Sequence, residues 1–83
     1  MNAMIAMSRV FGHLTDNNVV AAQQAVLSIE AKGSVLPSSV FERVLRAAVA
    51  AGELQPAYAT FCVSAYGKAA FTKIVHEVLP RGA

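Results

Sequence analysis

Apolar residues return at helical spacing along nearly the whole chain, and the polar residues between them mark where each helix begins and ends. Met4, Met7, Val10, Phe11 and Leu14 fall at i, i+3, i+6, i+7 and i+10. That spacing predicts a first helix of about three turns, with Arg9 and His13 sharing its wet face. Thr15, Asp16, Asn17 and Asn18 then offer a run of N-cap side chains, whose oxygens accept the N–H groups that the first turn of a helix leaves unpaired. A second helix follows, with Val19, Ala22, Val26 and Ile29 on one side, Val20 and Leu27 beside them, and Gln24, Ser28 and Lys32 outward. Gly33 is its natural stop.

Ser34, Val35, Leu36 and Pro37 read as a short extended connector, since a residue before proline is pushed out of the α region. Ser39 and Glu42 have the spacing of a capping box and stand just before Val40, Phe41, Val44, Leu45 and Ala48, which form the stripe of a third helix ending at Gly52. Glu42 and Arg46 make an i,i+4 pair on its polar face, and Val49 falls on that same outer face with no core role. Pro56 suits the first turn of a fourth helix carrying Tyr58, Phe61, Cys62, Ala65 and Ala69 on one stripe. Ala59, Val63, Tyr66 and Ala70 make a second stripe opposite, leaving only a narrow polar line at Thr60, Ser64 and Lys68. Gly67 either breaks this helix or merely weakens it, so residues 56–79 form one helix or two. Phe71, Ile74, Val75, Val78 and Leu79 resume an apolar stripe with Lys73, His76 and Glu77 outside it, before the fraying end at Pro80, Arg81, Gly82 and Ala83. Sustained period-two alternation is missing, with only Ser34 to Leu36 able to pair as a strand. The expected fold is all-α, a small single-domain bundle of roughly four to five short helices spanning residues 1–83.

Composition adds a tension to this pattern. Of the 83 residues 55% are apolar and 14% charged, while a domain this short hides only roughly 60–65% of the surface its unfolded chain exposes. A helix apolar nearly all round is buried centrally or covered by something else. The residues that exceed one-sided core packing are Val49, Val63 and Tyr66, and these are the expected protein-contact positions.

Candidate chemistry is sparse. Cys62 is the one cysteine and lies among apolar neighbours, which fits core packing in a reducing compartment. The N-terminal residues lack the basic leader and apolar run of a signal peptide, and no window reaches the length of a membrane span, so the expected location is cytoplasmic. His13 and His76 stand alone, without the spacing of a metal site, and the carboxylates Asp16, Glu30, Glu42, Glu53 and Glu77 lie apart. Gly33, Gly52 and Gly67 are helix punctuation rather than a phosphate-cradling loop. No cofactor, metal or small-molecule substrate is expected. Met4 and Met7 are expected in the core, although methionines also suit adaptable contact surfaces.

The seven basic residues and net charge of +2 are scattered, with Arg43 and Arg46 the only local pair. The stretch Leu36, Pro37, Ser39, Phe41, Leu45 and Arg46, followed by Leu54, Pro56, Ala59, Thr60 and Phe61, resembles the second-to-third helix segment of the regulatory-factor-X type of winged-helix DNA-binding domain. That resemblance implies that the helix starting at Pro56 is a recognition helix, with Thr60, Ser64 and Lys68 on its outer face. Cys62 stands where the family has glycine, and a further helical pattern replaces the family's basic wing. The resemblance thus bears on helix packing rather than membership.

The functional expectation is a non-enzymatic module that binds another protein or a second copy of itself through an apolar helix face, as an adaptor, a chaperone or a phage- or plasmid-type inhibitor does. The alternative is a dimeric helix-turn-helix regulator using Arg43, Arg46, Lys68 and Lys73 on DNA phosphates. Clustering of those four cations on one face favours the alternative, and dispersal disfavours it. An enzyme built on Cys62 is a third class, requiring a reactive, accessible thiol.

Overall fold

In the computed structural model, which describes residues 3–33 and 36–79 and side chains from Met7 onward, five helices follow one another. They are α1 (Ala3–Thr15), α2 (Val19–Ala31), α3 (Ser38–Ala51), α4 (Pro56–Tyr66) and α5 (Lys68–Val78), and the described residues contain no strand. The expected connector at Ser34 and Val35, the side chain of Met4 and the end from Pro80 to Ala83 lie outside the described residues or side chains.

The punctuation acts as the local chemistry requires. Asn18 caps α2 by accepting the Ala21 N–H at 3.2 Å. Gly52 takes the left-handed conformation (φ 69°, ψ 25°), so that its own N–H reaches Val49 O at 3.1 Å and the Glu53 N–H reaches Ala48 O at 2.9 Å. These two bonds satisfy carbonyls that the end of α3 would otherwise leave open. Pro56 occupies the first turn of α4. Gly67 breaks the last helical stretch in two. The expected capping box does not form: α3 starts at Ser38 with Pro37 as its N-cap and no side-chain cap bond, which puts Ser39 two positions past the N-cap, inside the first turn.

The packing centres on α3, which touches all four other helices. Among the described residues α1 meets α2 and α3 but neither α4 nor α5, and α2 does not reach α5. This gives two layers, α1, α3 and α5 side by side with α2 and α4 across them, and the shortest molecular dimension of 19 Å is about two helix diameters. With neighbours on so many sides, α3 buries a broad stripe: Val40, Phe41, Val44, Leu45, Ala48 and Val49. Val49 is therefore only 7% exposed and belongs to the core, against the expectation that it lies on an outer face. Val10, Ala22, Val26, Tyr58 and Cys62 complete the fully hidden centre, and Ile74 is the residue of α5 that enters it.

Other stripe positions also differ. Ala65 and Ala69 are exposed, because the break at Gly67 turns α5 back and ends the stripe they were expected to continue. Leu79, just past α5, is 45% exposed and is the only large apolar side chain so exposed among the described residues. The helical pattern read in place of the winged-helix family's wing is α5.

Candidate functional site

Of the three residues expected to form a contact surface, only Val63 and Tyr66, one turn apart on α4, keep partial exposure. Val49 faces the core. Tyr66 is half-buried and attached to α3, its hydroxyl donating to Ser38 O at 2.6 Å and its ring edge-on to Phe41 at 6.4 Å. Val63 is half-buried on α4.

Tyr66 belongs to an aromatic cluster that locks α4 onto α3. Phe41 meets Phe61 edge to face at 5.1 Å, Phe61 lies 5.8 Å from Tyr58, and the Tyr58 hydroxyl donates to Phe41 O at 2.9 Å. Cys62 sits beneath this cluster, where burial pushes its thiol up to about 11. Burial likewise raises the Tyr58 phenol. A buried, protonated thiol is a packing group, the opposite of the depressed, accessible thiolate a nucleophile needs.

Two of the four cations of the DNA-binding alternative are already engaged, each with a different neighbouring helix. The guanidinium of Arg43 stacks over the Phe11 ring of α1, 5.0 Å from its centroid. Arg46 turns toward the opposite neighbour, 3.0 Å from Glu77 of α5 and 3.6 Å from Glu42, so two carboxylates already engage it. Lys68 and Lys73 are exposed on α5, but five positions separate them, about 140° around the helix.

Arg43, stacked on Phe11, lines one end of a shallow groove of about 470 Å³ between α1 and α3. Leu14 of α1 and Val19 of α2 line it from one side, Ala47, Ala50 and Ala51 of α3 from the other, and Asn17 of the intervening turn joins them. Asn17 holds the αL conformation (φ 59°), which its short polar side chain tolerates. On α3 the lining positions 43, 47, 50 and 51 fall at i, i+4, i+7 and i+8, one face running about 12 Å at roughly 1.5 Å per residue. Alanines on such a face let another backbone approach closely, and Arg43 supplies a positive charge at its end. Among the described residues no carboxylate lies within ion-pair reach of Arg43. The helical spacing from Arg43 to Ala51 was present in the sequence, but alanine is as much at home in a core as on a surface. A second notch, about 80 Å³ between Arg9, Ser28 and Lys32, holds no more than a few waters.

Among the described residues no cluster of three or more His, Cys, Asp or Glu side chains could hold a metal, and no described helix is long and apolar enough to cross a membrane. No known protein family matches the chain, nor does any curated protein or solved structure. The fold and the groove define its class: a small two-layer all-α bundle with an apolar, singly cationic cleft between two helices of one layer.

Proposed function

We propose that the protein is a non-enzymatic interaction module, an adaptor, chaperone or inhibitor, which binds another protein by taking an amphipathic helix into the α1–α3 groove. The observation that carries this reading is the pairing of an apolar floor with the cation of Arg43, which has no carboxylate of its own among the described residues. The occupant has an apolar edge against Leu14, Ala47 and Ala50 and a carboxylate on the guanidinium. A protonated core cysteine suits a reducing, cytoplasmic setting. The helix-turn-helix alternative draws less support, because Arg46 is already held by Glu42 and Glu77.

The test is selection of helical peptides from a display library against the folded protein. Ligands with an acidic residue beside apolar i, i+3 and i+4 positions are expected, and both Arg43→Glu and Ala50→Arg should weaken them about ten-fold or more, which corresponds to ~1.4 kcal/mol. Selected ligands indifferent to both substitutions would sink the reading. So would steeply salt-dependent binding of duplex DNA, the mark of phosphate contacts.

A further inference from the structure

We propose that the chain also self-associates by exchanging α5: Gly67 straightens, α4 and α5 fuse into one helix over residues 56–78, and each α5 docks on the α3 of a second copy. A single residue separates the two helices, each 11 residues long. Gly67 holds φ 90° and ψ 153°, a combination open essentially to glycine alone. The hydrogen bonds across the junction already have α-helical register, with the Gly67 N–H on Val63 O at 2.8 Å and the Phe71 N–H on Gly67 O at 3.1 Å. Straightening keeps both. It also lets the N–H groups of Lys68, Ala69 and Ala70 reach the carbonyls of Ser64, Ala65 and Tyr66, filling a first turn of α5 that has no side-chain cap.

What holds α5 in place is a surface that a second copy reproduces. Ile74 is buried, Phe71, Val75 and Val78 pack partly against the core, and Glu77 meets Arg46 of α3. An α5 that swings out uncovers this apolar stripe together with the site it left, and the only surface already shaped for the stripe is the vacated site of an identical chain. Reciprocal exchange then closes as a two-fold dimer with no edge left over. This occupies the α3–α5 side of the molecule and leaves the α1–α3 groove free.

The experiment measures mass by light scattering at increasing concentration. The wild-type chain is expected to populate a slowly exchanging dimer at millimolar concentration. Gly67→Ala should lower the dimer dissociation constant about a hundred-fold or more, because alanine disfavours the bent backbone and favours the helix. A Cβ at this position meets nothing within 4 Å, so the substitution acts on the backbone alone. Inserting three glycines after Gly67 should give a monomer, since a slack linker lets α5 fold back. Mixing Arg46→Glu with Glu77→Arg should give heterodimer above the statistical proportion, because the opposite charges then meet across copies. Arg43→Glu should leave all of this unchanged, which separates the exchange from peptide binding in the groove. A wild type that stays monomeric at millimolar concentration, a Gly67→Ala chain that unfolds or remains monomeric, a dimer that survives the insertion, or purely statistical mixing would each overturn the proposal.

Discussion

The side-chain Oε1 of Gln23 accepts the backbone N–H of Gln55 at 2.7 Å, across 32 positions of sequence. Its Nε2 donates to Glu53 O at 3.0 Å and to Val19 O at 2.9 Å, so one fully buried amide fastens the α3–α4 connection onto α2. Among the described residues no buried side-chain nitrogen or oxygen lacks a partner, which makes Gln23 a complete network rather than a defect. Its position also sets where α4 begins, and hence where the aromatic cluster meets α3.

Replacing Gln23 with leucine, of similar volume, should destabilise the fold by ~2–3 kcal/mol, because the Gln55 N–H and Glu53 carbonyl lose their partner. Gln23→Glu should cost more at neutral pH, where a carboxylate oxygen faces two carbonyls, and should recover in part as acid protonates it. Urea unfolding at pH 7 and pH 4 checks both. A leucine variant within ~0.5 kcal/mol of wild type would show that water replaces the amide readily.

Alkaline pH should weaken the fold through Cys62 before any other buried group. Burial raises its thiol from 9.0 to about 11 in the folded chain, so its contribution is intact below pH 9 and lost as pH rises toward 11. Within that window the loss is at most ~1.4 kcal/mol per pH unit, because the unfolded chain releases a proton that the folded chain retains. Tyr58, raised in the same direction, extends the decline from about pH 10 upward. Cys62→Ala leaves a cavity whose cost is the same at every pH, so the informative quantity is the slope. Unfolding free energies between pH 8 and 10 should fall less steeply in the variant than in wild type.

At Gly52 the prediction concerns the backbone only. A Cβ there meets nothing within 4 Å, yet the residue is held at φ 69°, where an L side chain crowds its own carbonyl. Gly52→Ala should therefore cost ~1–2 kcal/mol with no change in the packing of Ala48 or Val49. Thermal unfolding together with the aromatic NMR spectrum distinguishes this from a core defect.

The helices were legible in the sequence because their signals are local. Asn18, Gly33, Gly52, Pro56 and Gly67 act within a few residues of themselves, and helical spacing reports one buried face. What was hidden depends on which helices meet. Val49 looked superfluous because the pattern shows one stripe, whereas α3 is packed by four neighbours. Gln23 looked like an ordinary polar residue because two of its three bonds reach 30 and 32 positions away. Tyr66 looked free because its partner, Ser38 O, belongs to the backbone of another helix. The groove has no signature in the sequence because its floor is alanine, and its one charged member reaches across to Phe11 of a different element.

The two tyrosines that bind α3 should differ in a way their bond lengths do not suggest. The Tyr66 hydroxyl makes the shorter bond, 2.6 Å to Ser38 O against 2.9 Å from Tyr58 to Phe41 O. Tyr58, however, has no exposed surface, while the Tyr66 bond lies at the surface where water replaces it. Removing the Tyr58 hydroxyl leaves the desolvated side of the Phe41 carbonyl without a donor, and the net cost of such a loss is ~1–2 kcal/mol. Removing the Tyr66 hydroxyl exchanges a protein bond for a water bond, at a cost below ~0.5 kcal/mol. Denaturant unfolding should therefore rank Tyr58→Phe as clearly more destabilising than Tyr66→Phe. The reverse order would mean that the first turn of α3, which lacks a side-chain cap at Pro37, depends on the Tyr66 hydroxyl for its position.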